Sequence, residues 1–158
     1  MGESITVIVK NLDAKKRSGA AVNTYLVLRK EKKILLSLRK NTGYFDGYYG
    51  LISGHVEDQE SASSAMIREA KEEANLIIRS ESLKVVHLMH RKTNRFNIDV
   101  FFECTHWEGE LQNLEPDKCA ELHFFSLANF PENLIPYIAR ALRAVFHKVV
   151  YSEEGWDL

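Results

Sequence analysis

Residues Gly54–Leu76 read GHVEDQESASSAMIREAKEEANL. Composition predicts a helix over Ala62–Ala74, with Ser61 as its N-cap. On a helical wheel, Glu69, Glu72 and Glu73 project from one sector, because residues three and four apart are neighbours. Like charges this close destabilise an isolated helix by roughly a few tenths of a kcal/mol per pair. A hard divalent cation is the natural group to offset them, since carboxylate oxygens suit Mg2+ or Mn2+. Taken alone, the helix also reads as an ordinary solvated face, because most Glu-rich helices bind nothing. Met66, Ala70 and Ala74 form the adjoining apolar stripe, which should pack on a sheet.

The wider spacing separates these readings. Gly54, five residues, Glu60, seven residues and then Arg68-Glu69-Ala70-Lys71-Glu72-Glu73-Ala74-Asn75-Leu76 resembles the signature box of the Nudix hydrolases. Every fixed position before the box's final glycine matches, as does the closing aliphatic Leu76. Ala70 stands where a larger aliphatic is usual, and Ile52-Ser53 where many members have Pro-Gly. Asn75 replaces the last glycine. A left-handed conformation is wanted just beyond the helix, and Asn is the next-best residue there.

Working outward, Ile5–Val9 reads as a short strand. Ala20–Leu28 and Ile34–Leu38 read as a hairpin, and Asn41–Gly50 as a loop dense in glycine and tyrosine. Leu83–His90, Phe96–Cys104 and Leu122–Leu127 are further strands. Leu134, Ile138, Ala141, Leu142, Val145 and Val149 repeat at helical spacing, with Asn133 as the expected cap before Pro136. This order resembles the Nudix fold, an α/β architecture with a mixed β-sheet sandwiched between helices (α/β/α). The expectation is one domain over residues 1–158, with a short extra N-terminal strand within 1–18.

Net charge is -1, so no overall field recruits a nucleic-acid polymer or an anionic membrane. No apolar run reaches transmembrane length, and the N-terminus lacks a secretion-signal pattern. Cys104 and Cys119 lie in no CxxC or CxxH pattern, which suits free thiols. A cytoplasmic protein is expected, either a monomer or a homodimer paired through an edge strand.

The resemblance implies metal-dependent hydrolysis of a diphosphate linkage in a small nucleotide, with Mg2+ or Mn2+. It makes Glu72 and Glu73 the first metal ligands and Glu69 a further ligand or the general base. Gly54 would contribute through its carbonyl, Glu57 as an outer ligand and Arg68 by orienting a carboxylate. Glu60 and Asn75 take structural roles. One more acid is expected beyond the box, from Glu115, Asp117 or Glu121. Arg39, Lys40 and Arg91 are candidates for phosphate contacts, as is Arg95. Tyr48 and Tyr49, with Tyr44 and Phe45, are candidates to stack on a base. A nucleoside triphosphate, canonical or oxidised, is the leading substrate class, and ADP-ribose or nucleotide sugars are the alternative. A non-catalytic nucleotide-binding module is a further alternative, against which the complete carboxylate set argues.

Overall fold

The computed structural model describes residues 17–157. The strand expected at Ile5–Val9 lies outside them. Among the described residues the order is β1 (Ala21–Lys30), β2 (Lys33–Arg39), β3 (Tyr49–Gly50), β4 (Ile52–His55) and α1 (Ala62–Ala74). A single 3-10 turn at Ser80–Ser82 leads to β5 (Lys84–Lys92), β6 (Phe96–Cys104) and β7 (Cys119–Ser126). Helix α2 (Pro136–Phe146) and β8 (Tyr151–Glu154) complete the described chain.

The strands form a mixed sheet in the order β3-β2-β1-β6-β5-β8, with β4 paired to β1 and β7 to β2. β1 runs parallel to β6 and antiparallel to β2 and β4. Buried on both faces, β1 and β6 read as nearly continuous apolar runs, as parallel pairs do. The end strands β3 and β8 are very short, which limits unpaired edge backbone.

Each face of the sheet has its own core. Against one face, α1 packs Met66, Ala70 and Ala74 on Leu26, Leu28, Ile52 and Phe102. Its buried small residues let the helix backbone approach the sheet closely, so the carboxylates on its flank reach the end of β4. Against the other face, α2 packs Ile138, Ala141 and Leu142 on Tyr25, Val27, Met89 and Phe101. Burying a side chain such as Ile138 or Leu142 contributes about 1.5–3 kcal/mol. The expected α/β/α sandwich is therefore observed.

Three local expectations are corrected. The Gly- and Tyr-rich loop ends in β3, and β4 follows at once. Gly50 is buried there, where a β-carbon would stand 3.1 Å from Ile135 Cδ1, and Tyr49 exchanges backbone hydrogen bonds with Asn133 and Ile135. Asn133 does not cap α2. The cap is Ile135, without a side-chain bond, and Asn133 Nδ2 donates to the Gly47 carbonyl instead. Pro136 needs no such cap, because a first-turn residue has no intrahelical N–H bond to lose. Helix α2 ends at Phe146, so Val149 is not on its apolar face. Its carbonyl accepts from His87 Nδ1 at 2.7 Å just before β8 begins.

Candidate active site

The site forms where the end of β4 meets the flank of α1. Ser61 caps the helix by accepting from the Ser64 N–H. At the other end, Asn75 adopts φ 59° and ψ 25°, the left-handed stop expected from sequence. Its Nδ2 donates to the Glu110 carbonyl at 3.0 Å, and Lys71 Nζ donates to its Oδ1 at 2.8 Å. The Gln112 and Leu114 N–H groups then bond the Ala74 and Glu73 carbonyls, fastening the following loop to the helix end. That loop carries Glu115 to the acidic cluster. The turn holding Glu115 is closed by Lys118 and Cys119 N–H groups donating to its carbonyl.

Arg68 organises the carboxylates. Its Nε and NH2 grip both oxygens of Glu60 at 2.8 and 2.9 Å, and NH2 also donates to the His55 carbonyl at 3.1 Å. NH1 donates to Glu69 Oε1 at 2.8 Å and to Glu72 Oε2 at 3.4 Å. The guanidinium and the Glu57 N–H hold the Glu60 carboxyl down at about 2. Glu60 thus acts by anchoring Arg68 and lies outside the cleft. Glu73 behaves in the opposite way. Burial, then the charges of Glu69 and Glu115, push its carboxyl well above the usual carboxylate range. Burial also raises Glu69, against the opposing pull of Arg68.

Gly54 lies directly beneath this cluster. A β-carbon there would stand 2.1 Å from Glu69 Oε1 and 2.4 Å from its Cγ. The missing side chain is the space that the Glu69 carboxylate occupies.

A cleft of about 880 Å³ opens over these residues. Gly54, Glu57, Arg68, Glu69, Glu72, Glu73, Arg39 and Arg91 all line it. Of the three acids proposed beyond the box, Glu115 lines the cleft, while Asp117 and Glu121 do not. Glu121 accepts from the Tyr49 hydroxyl, and Tyr49 packs edge-on against Phe125. Tyr48 and Lys40 are exposed outside the cleft, so Tyr44 is the loop aromatic that reaches it. Among the described residues no three His, Cys, Asp or Glu side chains converge as a ready metal cage. Arg68 is inserted among the carboxylates instead.

Arg91, Arg95 and Tyr44 line the cleft as expected, while Asn23, Asn97 and the buried Asp99 beside them were not anticipated. Register places Asn23 beside both His55 and Asp99, and Arg91 beside Asn97. Asp99 is fully buried, accepting from Asn23 Nδ2 at 2.8 Å and from Arg91 through two nitrogens. Arg91 in turn lies over the Tyr137 ring, 4.1 Å from its centroid. The sequence did carry a signal: Asn23, Asn97 and Asp99 interrupt strands that are otherwise apolar.

Comparisons with known proteins agree with this geometry. The NUDIX domain profile matches residues 17–147. An ADP-ribose pyrophosphatase from Methanocaldococcus jannaschii is 36% identical over 129 residues, covering 79% of this chain and 75% of that protein. The chain belongs to the Nudix hydrolases. It shares this fold with a MutT NUDIX hydrolase from Burkholderia pseudomallei, at a TM-score of 0.73 and 22% identity. That likeness covers 80% of this chain and 98% of the other. A MutT protein from Methanosarcina mazei Go1 has a TM-score of 0.70 and 19% identity, over 83% and 96% of the two chains. As a Nudix hydrolase the chain acts on pyrophosphate bonds in small nucleotide substrates. Among the described residues no helix is long and apolar enough to cross a membrane.

Proposed function

We propose that this chain is a Mg2+- or Mn2+-dependent pyrophosphohydrolase of nucleoside triphosphates, acting as one cytoplasmic domain. The observation that carries the reading is that Glu69, Glu72, Glu73 and Glu115 all line one cleft, which Arg39, Arg91 and Lys118 also line. The donor set fits a hard divalent cation. It offers carboxylate oxygens, and burial, with the neighbouring charges of Glu69 and Glu115 at Glu73, raises the Glu69 and Glu73 carboxyls.

Glu72 and Glu73 are the first proposed ligands, with Glu69, Glu115 and the Gly54 carbonyl completing the set and Glu57 in an outer position. When bound, the cation supplies charge neutralisation at the diphosphate oxygens and a more acidic water. The protein's residues supply the rest. Arg68 NH1 fixes Glu69 Oε1, which orients this carboxylate as a further ligand or as the base that takes a proton from the attacking water. Arg39 and Lys118, also on the cleft wall, are placed to meet the further phosphates of a triphosphate.

A second reading, ADP-ribose as substrate, is favoured by the 36% identical ADP-ribose pyrophosphatase. A panel of triphosphates, ADP-ribose, nucleotide sugars and dinucleoside polyphosphates, incubated with Mg2+ and followed by phosphorus-31 NMR, separates the two. Faster cleavage of triphosphates supports the first reading and faster cleavage of ADP-ribose the second. Release of no phosphorus product from any member would refute both.

A further inference from the structure

We propose that His55 is a substrate-binding residue, locked by Asn23 into the tautomer that leaves Nε2 bare on the cleft wall. There Nε2 accepts a hydrogen bond from an uncharged O–H or N–H group of the nucleotide. This role rests on the cleft taking a nucleoside phosphate.

The lock is a hydrogen-bonded chain that starts from groups able to play one part only. A guanidinium donates and never accepts, while a backbone carbonyl accepts and never donates. Arg95 Nε lies 3.0 Å from one end of the Asn97 amide, so that end is Oδ1. The other end meets the carbonyl oxygens of Arg91 at 3.2 Å and Arg95 at 3.3 Å, so it is Nδ2. Arg91 donates to both oxygens of Asp99, at 2.5 and 3.2 Å, and a carboxylate paired in this way only accepts.

Asn23 therefore meets two acceptors with one end of its amide, Asp99 Oδ1 at 2.8 Å and Asn97 Oδ1 at 3.3 Å. That end is Nδ2. With the amide turned over, oxygen would face oxygen at both contacts without a proton between them. Asn23, Asn97 and Asp99 are all buried, where an unmade bond costs its full desolvation. Asn23 Oδ1 is thus the atom that His55 Nδ1 meets at 2.6 Å. An amide oxygen only accepts, so Nδ1 carries the proton and donates. A neutral imidazole has one N–H, which leaves Nε2 as a bare acceptor.

His55 is held at its backbone as well. It pairs with Asn23 across β4 and β1, and its carbonyl accepts from Arg68 NH2 at 3.1 Å. The ring is exposed in the cleft, and among the described residues nothing bonds Nε2. Phosphate oxygens bring lone pairs and negative charge, so they are met by the arginines and Lys118 of the cleft rather than by Nε2. A hard cation is better served by the carboxylate oxygens. Sugar hydroxyls and base amino groups each bring a proton and no charge, and either satisfies Nε2. Because tautomer and ring orientation are set before the ligand arrives, little ordering remains to be done on binding.

Two measurements on the full chain test this role. A long-range proton–nitrogen-15 spectrum at about pH 9, where an ordinary imidazole is neutral, reads the tautomer without any substitution. His55 should show a protonated Nδ1 and an unprotonated Nε2. The reverse pattern, or signals averaged over both tautomers, would overturn the lock. The second measurement is calorimetric titration of wild type and His55→Phe with ADP, the part that ATP and ADP-ribose share, using Ca2+ in place of Mg2+. Three analogues lack in turn the 2′-hydroxyl, the 3′-hydroxyl and the base amino group. Wild type should bind the analogue missing the donor about tenfold more weakly than ADP, which identifies the group as sugar or base. His55→Phe, at an exposed position, should bind ADP about tenfold more weakly than wild type and no longer distinguish that analogue. Equal wild-type affinity for ADP and all three analogues, or discrimination that His55→Phe retains, would overturn the acceptor role. Weaker binding of Ca2+ alone to His55→Phe would make Nε2 a cation ligand and overturn it as well. Absence of binding by all four nucleotides would refute the proposed function together with this role, whereas binding that ignores His55 would refute the role alone.

Discussion

Replacing Gly54 by alanine tests how tightly the backbone of β4 and the Glu69 carboxylate are matched. The added β-carbon would lie 2.1 Å from Oε1, 2.2 Å from Cδ and 2.4 Å from Cγ. Turning the terminal carboxylate alone cannot relieve this, because Cγ is also too close. To regain ordinary contact at 3.4 Å the side chain must retreat by about 1.3 Å, and displacements near 1 Å can cost about 100-fold in rate. The expected loss in kcat/KM is therefore about 100-fold, or about 2.7 kcal/mol of transition-state stabilisation. Stability should change far less. The retreat breaks the 2.8 Å Arg68–Glu69 contact, a partly exposed pair of the kind that contributes about 0–1 kcal/mol. Steady-state kinetics on the best substrate of the panel, beside a thermal melt, would decide it. A folded Gly54→Ala enzyme within about twofold of wild-type kcat/KM would show that Glu69 does not act from the position seen here.

Two further substitutions probe the frame around the site. Asn75→Gly keeps the left-handed stop and should hold stability within about 0.5 kcal/mol. Asn75→Ala places an unfavourable side chain at φ 59° and should cost about 1–2 kcal/mol. Equal melting temperatures for the two would contradict the helix-stop role. Glu60 predicts a pH signature. Its folded pKa, about 2, lies below the ordinary 4.5, so its stabilisation is present above pH 4.5 and is lost as pH falls through 2. The melting-temperature gap between wild type and Glu60→Gln should close over that window. A gap that persists at the acid end would remove the Arg68 ion pair as its cause.

The parts legible in sequence were those fixed by local geometry. Glu69, Glu72 and Glu73 share a flank because helical spacing is rigid, and Gly54, Glu60 and Arg68 stand at set offsets from them. Asn75 could be read because its conformational preference is intrinsic. Other features depend on contacts that no local pattern encodes. β3 and β4 were missed because Tyr49 and Gly50 are strand residues only through pairing with β2. The end of α2 was set too late because Val149 is apolar at helical spacing, yet the chain leaves the helix at His147 and bonds to buried His87. Glu115 was separable from Asp117 and Glu121 only once its loop was seen fastened to the end of α1. The Tyr25–Arg91–Asp99–Tyr137 wall joins β1, β5, β6 and α2, residues far apart in sequence.

The central claim is that the carboxylates on α1 hold a catalytic cation. Its most direct test is the Mg2+ dependence of diphosphate cleavage, by phosphorus-31 NMR, in wild type and Glu72→Gln. Glu72 is exposed, so the variant should fold and melt close to the wild-type temperature, the relieved repulsion from Glu69 and Glu73 offsetting the lost contact with Arg68. Wild-type turnover should rise and saturate with Mg2+, while Glu72→Gln should be slower by about 100-fold or more at every concentration. A folded Glu72→Gln enzyme with the wild-type rate and the wild-type Mg2+ curve would contradict the account.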